Sequence, residues 1–381
     1  MALRLYHGDA LAEYGFGAGH PFGPDRLGAF WNECVARGLD QRAQLAAPVQ
    51  ASEAVLLRFH THEYIERVKF QSKTGVGYLD GGDTPAFLGL YEAAATVVGT
   101  TLDAVAHCVS GQAPRAFIPI AGLHHARRDS AAGFCVLNDI GVAIETLRAV
   151  HGVQRIAYVD IDAHHGDGVE AAFLDDPEVF TLSLHMDTGY AYPFTGGRLE
   201  DAGTPASGHT SLNLPLPKDT HDAEYQLLFN AVWQPLLDAF QPDAVVLQAG
   251  TDMIFADPLG KLGLSTQCFL QTAQTILDTS PRHADGTPRL LVTGGGGYHP
   301  LVLARAWAGL WALLSGRELP EQLPLAGTDL LRSVGWDMDE DEAHFAQLFL
   351  SRLDQLEAHS VRPEIYNLID QIPLHPYFRK P

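Results

Sequence analysis

The segment Asp160–Gly168, DIDAHHGDG, places three carboxylates and two imidazoles directly after an apolar run. Ionisable groups at this density are costly to bury unless they pair or hold a cation. Asp162 and His164 are two apart, so on an extended segment both side chains point the same way and can ligate one ion. His165 and Asp167 then face elsewhere. The third ligand must come from another segment, and Asp257, in the loop after the apolar run ending at Leu247, is the best placed. Two carboxylates and one imidazole with positions left open describe a catalytic metal centre rather than a closed structural one. Zinc suits these donors, and iron(II) suits them as well.

The tandem His124 and His125 offers a proton acceptor and donor near neutral pH, which amide hydrolysis by an activated water requires. Each imidazole needs a carboxylate to set its tautomer, and Asp160 and Asp167 are available for that. Gly294–Gly297 precedes Tyr298, so the backbone can bend closely and set a phenol at the mouth of the site, where it can donate to an oxyanion. A phosphate cradle is the poorer reading of those glycines, because no P-loop lysine follows. Taken singly, an Asp-x-His pair is more often a hydrogen-bonded loop and a lone histidine a core residue. It is their joint position that decides.

These residues follow strand-like runs. Ala116–Ile120, Arg155–Val159, Val179–Leu184, Ala244–Leu247 and Leu290–Thr293 are short, apolar and separated by helical patterns. One helix should start at Asn138 as N-cap and stop before Gly152; another should follow Pro300, with Leu303, Trp307, Leu310, Trp311 and Leu314 on its buried face and Gly316 at its stop. Strands alternating with helices predict an α/β fold with a mainly parallel sheet covered on both faces. In such sheets the carboxyl ends of the strands line the ligand edge, so five separate segments converge there. No repeat or linker divides residues 1–381, which predicts a single domain. The formal net charge of −21 opposes nucleic acid and anionic membranes and favours cationic partners. No stretch reads as a bilayer span or a secretory signal, so the expected location is the cytoplasm. Cys34, Cys108, Cys135 and Cys268 lie far apart, as neither a disulfide framework nor a cysteine zinc site would have them.

From about His20 to Gly316 the sequence resembles the class I histone deacetylase family, particularly the bacterial acetoin-utilisation (AcuC-like) deacetylases, within the arginase/deacetylase fold. The resemblance is carried by HPFGPDR (His20–Arg26), FHTHEYI (Phe59–Ile65), GLHHARRDSAAGFCVLND (Gly122–Asp139), DIDAHHGDG, SLH (Ser183–His185), the segment Asp252–Asp257 and GGGGYHP (Gly294–Pro300). It implies a zinc-dependent hydrolase that removes acetyl groups from lysine side chains of proteins or peptides, with Asp162, His164 and Asp257 as ligands. It further implies His125 with Asp167 as general base and acid, His124 with Asp160 as electrostatic support, and Tyr298 polarising the acyl carbonyl. By the same resemblance Gly133, Phe134, Tyr192 and Leu264 line the substrate tunnel, Gly296 is a further substrate-binding residue, Asp83 at the rim holds substrate amides, and Arg26 sits in an acetate exit channel. Structural potassium is implied at Asp160, Asp162, His164, Ser183 and Leu184, and a second ion at Phe173, Asp176, Val179 and Thr210. Tyr192 departs from the family's usual phenylalanine, and Leu123 replaces a bulkier residue. The match weakens beyond Gly316; the extension 317–381 is expected to pack on or beside the core, and its tail Val361–Pro381 reads as a surface wrap or oligomer contact. Two other readings share features: an acetylpolyamine amidohydrolase, and a non-catalytic acetyl-lysine binder, which would have no use for the whole acid/base set. An arginase-like second metal lacks its carboxylate, since Gly166 stands in that place.

Overall fold

The five apolar runs form buried strands in the computed structural model, which describes residues 3–17, 19–23, 25–41, 44–112, 115–286, 289–318 and 359–379. They are β3 (Arg115–Ile118), β4 (Ile156–Asp160), β5 (Val179–Met186), β7 (Ala244–Gln248) and β8 (Leu290–Thr293). Three more strands complete the sheet: β1 (Leu3–Tyr6), β2 (Gln44–Ala46) and β6 (Ser211–Leu216). Their sequences hide them. β2 is short and solvent-facing at one edge, and β6 interleaves Ser211, Asn213 and Pro215 with leucines at the other. All eight strands are parallel, in the order β2-β1-β3-β8-β7-β4-β5-β6.

The register explains how distant segments meet. Ile118 pairs with Thr293, Thr293 with Gln248, Gln248 with Asp160 and Asp160 with Ser183, so one row across the sheet marks the ends of β3, β8, β7 and β4. Every loop leaving that row emerges at the same edge. The chain passes from β3 to β4 over the places that β8 and β7 fill, which opens a crevice between their carboxyl ends.

Ten helices precede the tail among the described residues: α1 (Asp9–Ala12), α2 (Arg26–Ala36), α3 (Glu53–Leu56), α4 (His62–Thr74), α5 (Leu90–Ser110), α6 (Asp139–Ala149), α7 (Asp167–Phe173), α8 (Asp222–Phe240), α9 (Thr266–Thr279) and α10 (Pro300–Ser315). α5 packs on α4 and α6; α10 packs on α2 and α9. Asn138 caps α6 by accepting from Gly141 N, as expected, but the helix ends at Ala149 and Gly152 serves the following turn at φ 68°. Pro300 opens α10 and Gly316 closes it in the left-handed conformation, φ 65°. Trp307 and Trp311 are fully buried, their indoles donating to the carbonyls of Ala249 and Leu39.

One expectation needs correcting. The 21 residues of α5 are long and apolar enough to cross a membrane. The helix is nevertheless a core element, because its small residues Ala93–Ala95 and Gly99 let other backbone approach closely; a Cβ on Gly99 would meet Val49 O at 2.2 Å.

Much of the C-terminal extension, 319–358, lies outside the described residues. Its last part packs on α8 and the β5–β6 edge. Arg362 pairs with the buried Glu224, and Tyr377 inserts beside Phe180 and Phe240. All four cysteines are buried and unpaired with one another.

Candidate active site

β4 ends in Asp160, and the loop that follows turns Asp162 and His164 into the crevice. Their ligating atoms and a carboxylate oxygen of Asp252 all lie within 4.8 Å of one another, and all three residues are buried. Asp252 comes from the loop after β7; it accepts from Ala163 N at 2.8 Å and lies 2.9 Å from His164 Nδ1. The sequence expectation names Asp257 as the third ligand, and Asp257 belongs to the same buried surroundings. Asp257 lies alongside, its charge acting on Asp252 and His164, while its oxygens accept the backbone N–H groups of Leu259, Gly260 and Tyr298 at 2.9, 3.0 and 2.7 Å. Both acids of the loop therefore belong to the buried cluster, one beside His164 and one beneath Tyr298.

The cluster has the character of a cation site. Burial and the charge of Asp162 push Asp252 up to about 7, and burial also raises Asp257. His164 is lifted to about 10 because Asp162 and Asp252 outweigh the opposing effect of burial. These shifts mark a crowded acidic site that a bound cation would neutralise. The surrounding glycines leave the carboxylates room: a Cβ on Gly250 would meet Asp162 Oδ2 at 2.1 Å, and one on Gly296 would meet Asp252 Oδ2 at 2.1 Å. Two further donors fix Asp162 Oδ2, Gly296 N at 2.8 Å and Gln248 Nε2 at 2.7 Å. The residues present fit a divalent ion.

Beside this cluster stand two histidine–aspartate pairs. His124 Nδ1 lies 2.7 Å from Asp160 Oδ2, which also accepts from Tyr158, and His125 Nδ1 lies 2.8 Å from Asp167 Oδ1. The two Nε2 atoms converge at 3.0 Å. Burial lowers His124, but Asp160 and Asp162 overcome it and raise the group to about 9. His125 falls to about 4 through burial and the neighbouring His124 charge. These opposite shifts favour His124 as the donor and His125 as the acceptor across the Nε2 contact, with Asp167 placed to hold a proton on His125 Nδ1. Arg127 supports Asp167 from its outer side at 3.1 Å.

A slot of about 260 Å³ leads to these groups, lined by Asp83, Gly133, Phe134, Tyr192, His125, His164 and Tyr298. Leu264, expected in its wall, is instead fully buried and pairs with Ile254; Leu259, Met186 and Lys261 take that side. Tyr298 packs edge-on to Phe134 and His164, with centroids at 5.7 and 6.2 Å, and burial pushes its phenol well above the ordinary range, so it remains a donor. Arg26 is buried behind this loop. Its guanidinium donates to Gly297 O at 3.0 Å and Gly295 O at 2.6 Å, stacks over Phe22, and leaves Nη1 without a partner among the described residues.

The residues expected to hold potassium fall into two groups. Asp160, Asp162, His164, Ser183 and Leu184 gather where the end of β4 lies beside the middle of β5. Phe173, Asp176, Val179 and Thr210 gather at the start of β5, where Asp176 O accepts from Thr210 Oγ1 and Val179 N. A cavity of about 370 Å³ at the opposite sheet edge, lined by Val105, Cys108, Val245 and Leu290 among others, shares none of the slot's residues.

Comparison with known proteins agrees with this geometry. The histone deacetylase domain model matches residues 20–314, which include every residue of the two histidine pairs, the acidic cluster and Tyr298. The chain belongs to the histone deacetylase family. It is 35% identical to histone deacetylase clr6 of Schizosaccharomyces pombe, covering 88% of this chain and 82% of that one, and 33% identical to the acetoin utilization protein AcuC of Bacillus subtilis, covering 82% and 81%. Among solved structures it resembles a histone deacetylase homologue from Aquifex aeolicus, with a TM-score of 0.88 and 32% identity over 98% of this chain and all of that one. A homologue complexed with SAHA gives a TM-score of 0.87 at the same identity and coverage. The fold is thus that of the arginase/deacetylase superfamily, and the chain is a deacetylase-family hydrolase.

Gln248 and Asp252 went unassigned in the sequence. The signal for Gln248 was a polar residue ending the otherwise apolar strand AVVLQ; for Asp252 it was a second acid in the same loop as Asp257.

Proposed function

We propose that this chain is a metal-dependent amidohydrolase that removes acetyl groups from lysine side chains of proteins or peptides. The observation that carries the reading is the convergence of His124 Nε2 and His125 Nε2, oppositely poised, beside the buried Asp162–His164–Asp252 cluster at the foot of a slot roofed by Tyr298.

A divalent ion, zinc by its preference for mixed imidazole and carboxylate donors, would be held by Asp162 and His164 with the carboxylates of the Asp252–Asp257 loop. When bound it supplies Lewis acidity toward the acyl oxygen and lowers the pKa of water. The remaining work falls to the chain. His125, neutral at Nε2, takes the proton of the attacking water and returns it to the departing lysine nitrogen. His124, kept cationic by Asp160 and Asp162, steadies the negative charge that develops beside it. Tyr298 donates its hydroxyl to the oxyanion from the fixed position that Asp257 and Arg26 give its loop. Phe134 and Tyr192 form walls suited to a methylene chain. Arg26, with one buried nitrogen open, suits the released acetate.

The test is hydrolysis of an acetyl-lysine peptide against an acetylpolyamine, each with and without chelator. Faster, chelator-sensitive cleavage of the peptide supports the reading. Cleavage of the polyamine alone makes the chain a small-amine amidohydrolase, and turnover of neither makes it a binder.

A further inference from the structure

The slot above the histidine pair is walled mostly by apolar side chains, yet two of its tyrosines, Tyr298, assigned above to the oxyanion, and Tyr192, have hydroxyls that make no hydrogen bond among the described residues. Tyr192 lines the slot together with Gly133, Phe134, Met186 and Leu259. Its ring is fixed from several sides. It stands edge-on to His125 with centroids 4.8 Å apart and to Phe194 at 6.2 Å, and Gly133 approaches so closely that a Cβ there would lie 2.8 Å from Tyr192 Cε1. Three other tyrosine hydroxyls are satisfied within the protein: Tyr190 donates to Leu216 O at 2.9 Å, Tyr14 to Phe134 O at 2.7 Å and Tyr64 to Val136 O at 2.6 Å. That of Tyr192 makes no hydrogen bond among the described residues.

A fixed, unbonded donor in a narrow slot is satisfied by water until a ligand fills the slot. The ligand must then bring an acceptor, or leave the hydroxyl desolvated and unpaired. Sites built with such donors discriminate strongly against analogues that lack the matching group. With an acetylated side chain reacting at His125, the segment lying past the Tyr192 ring toward the exposed Asp83 is the outer end of the methylene chain and the main chain of the modified residue. There the acceptor available is a peptide carbonyl.

We propose that Tyr192 is a specificity-determining residue whose hydroxyl donates to the main-chain carbonyl of the acetylated lysine, so that the site prefers acetyl-lysine within a peptide over acetylated diamines and polyamines. Those amines share the acetamide and the methylene chain but carry no carbonyl at that place. The assignment rests on the function proposed above and names what separates its two candidate substrate classes. Asp83, an exposed acceptor lining the same slot, complements it by suiting the peptide N–H.

The experiment compares kcat and KM of the native chain and of Tyr192→Phe on an acetyl-lysine peptide and on N-acetylcadaverine, which is acetyl-lysine without its carboxyl carbon. The substitution removes one oxygen and keeps the ring, and an unchanged Tm verifies that the slot is intact. Loss of a single neutral hydrogen bond corresponds to a fall in kcat/KM of about three- to tenfold. That fall should appear for the peptide, mainly in KM, while acetylcadaverine changes by less than about twofold. An equal fall on both substrates, or no fall on the peptide, overturns the assignment while leaving the proposed function standing. A native chain that cleaves acetylcadaverine but not the peptide overturns both.

Discussion

Replacing Tyr298 by phenylalanine isolates the role of one oxygen. The ring is held by packing against Phe134 and His164, and the loop by Asp257 accepting Tyr298 N and by Arg26 bonding the carbonyls of Gly295 and Gly297. None of these contacts uses the hydroxyl, so folding stability should change by no more than about 0.5 kcal/mol. Catalysis should respond very differently. A preorganised donor aimed at a developing oxyanion contributes about 3–4 kcal/mol, so kcat should fall by about 10²–10³. Because the bond is made in the transition state, KM should shift little. Burial holds the phenol well above its ordinary range, so the donor stays protonated and the native-to-variant ratio should stay constant across the assay pH range. The assay is steady-state release of acetate from an acetyl-lysine peptide, with Tm and metal content of the variant measured in parallel. A Tyr298→Phe protein that folds, binds metal and keeps kcat within about threefold of the native value would refute the oxyanion role.

Other outcomes follow from the same geometry. Asp167→Asn removes the carboxylate that fixes the proton on His125 Nδ1 and should lower kcat by about 10²–10⁴ with metal content unaltered; a loss below tenfold would show that His125 is not the base. In Gly133→Ala the new Cβ would lie 2.5 Å from His125 and 2.8 Å from Tyr192 at φ 51°, so the slot should close and stability fall by about 1–3 kcal/mol, as read by kcat/KM and chemical denaturation. Buried His60 is held down at about 4, against an ordinary 6.5, chiefly by burial. Its folded value lies below its unfolded one, so the stability it contributes is whole above pH 6.5 and is lost as the pH falls toward 4, amounting to about 3 kcal/mol. His60→Gln, which can still accept from Asn138 N, should flatten the fall of Tm between those limits; a curve parallel to that of the native protein would contradict this.

The centre of this molecule was readable because its chemistry is dense and falls at strand ends. Asp160, Asp162, His164 and Asp167 share one segment, and the parallel register carries His124, His125 and Tyr298 to the same edge. Periodicity found the apolar strands but not β1, β2 or β6, which are short, edge-lying or mixed with polar residues. Composition passed over α5, whose 21 residues are long and apolar enough for a span but serve the core. Partners lying far apart in sequence were the hardest to assign. Nothing local says that Asp252 rather than Asp257 would lie against His164, or that Leu259 would take the slot wall while Leu264 turned inward; those choices are made by how the loop after β7 folds on Met186 and Gly260.

The central claim is that a metal held at Asp162 and His164 is bound where the amide is cut. Metal analysis of the purified chain, loaded with zinc or iron(II) and dialysed, tests it most directly when joined to the hydrolytic rate. One tightly held ion per chain, lost in Asp162→Asn together with the activity and in proportion to it, is the predicted result. A chain that hydrolyses acetyl-lysine at full rate with no bound ion, or a substituted chain that keeps both ion and rate, would contradict it.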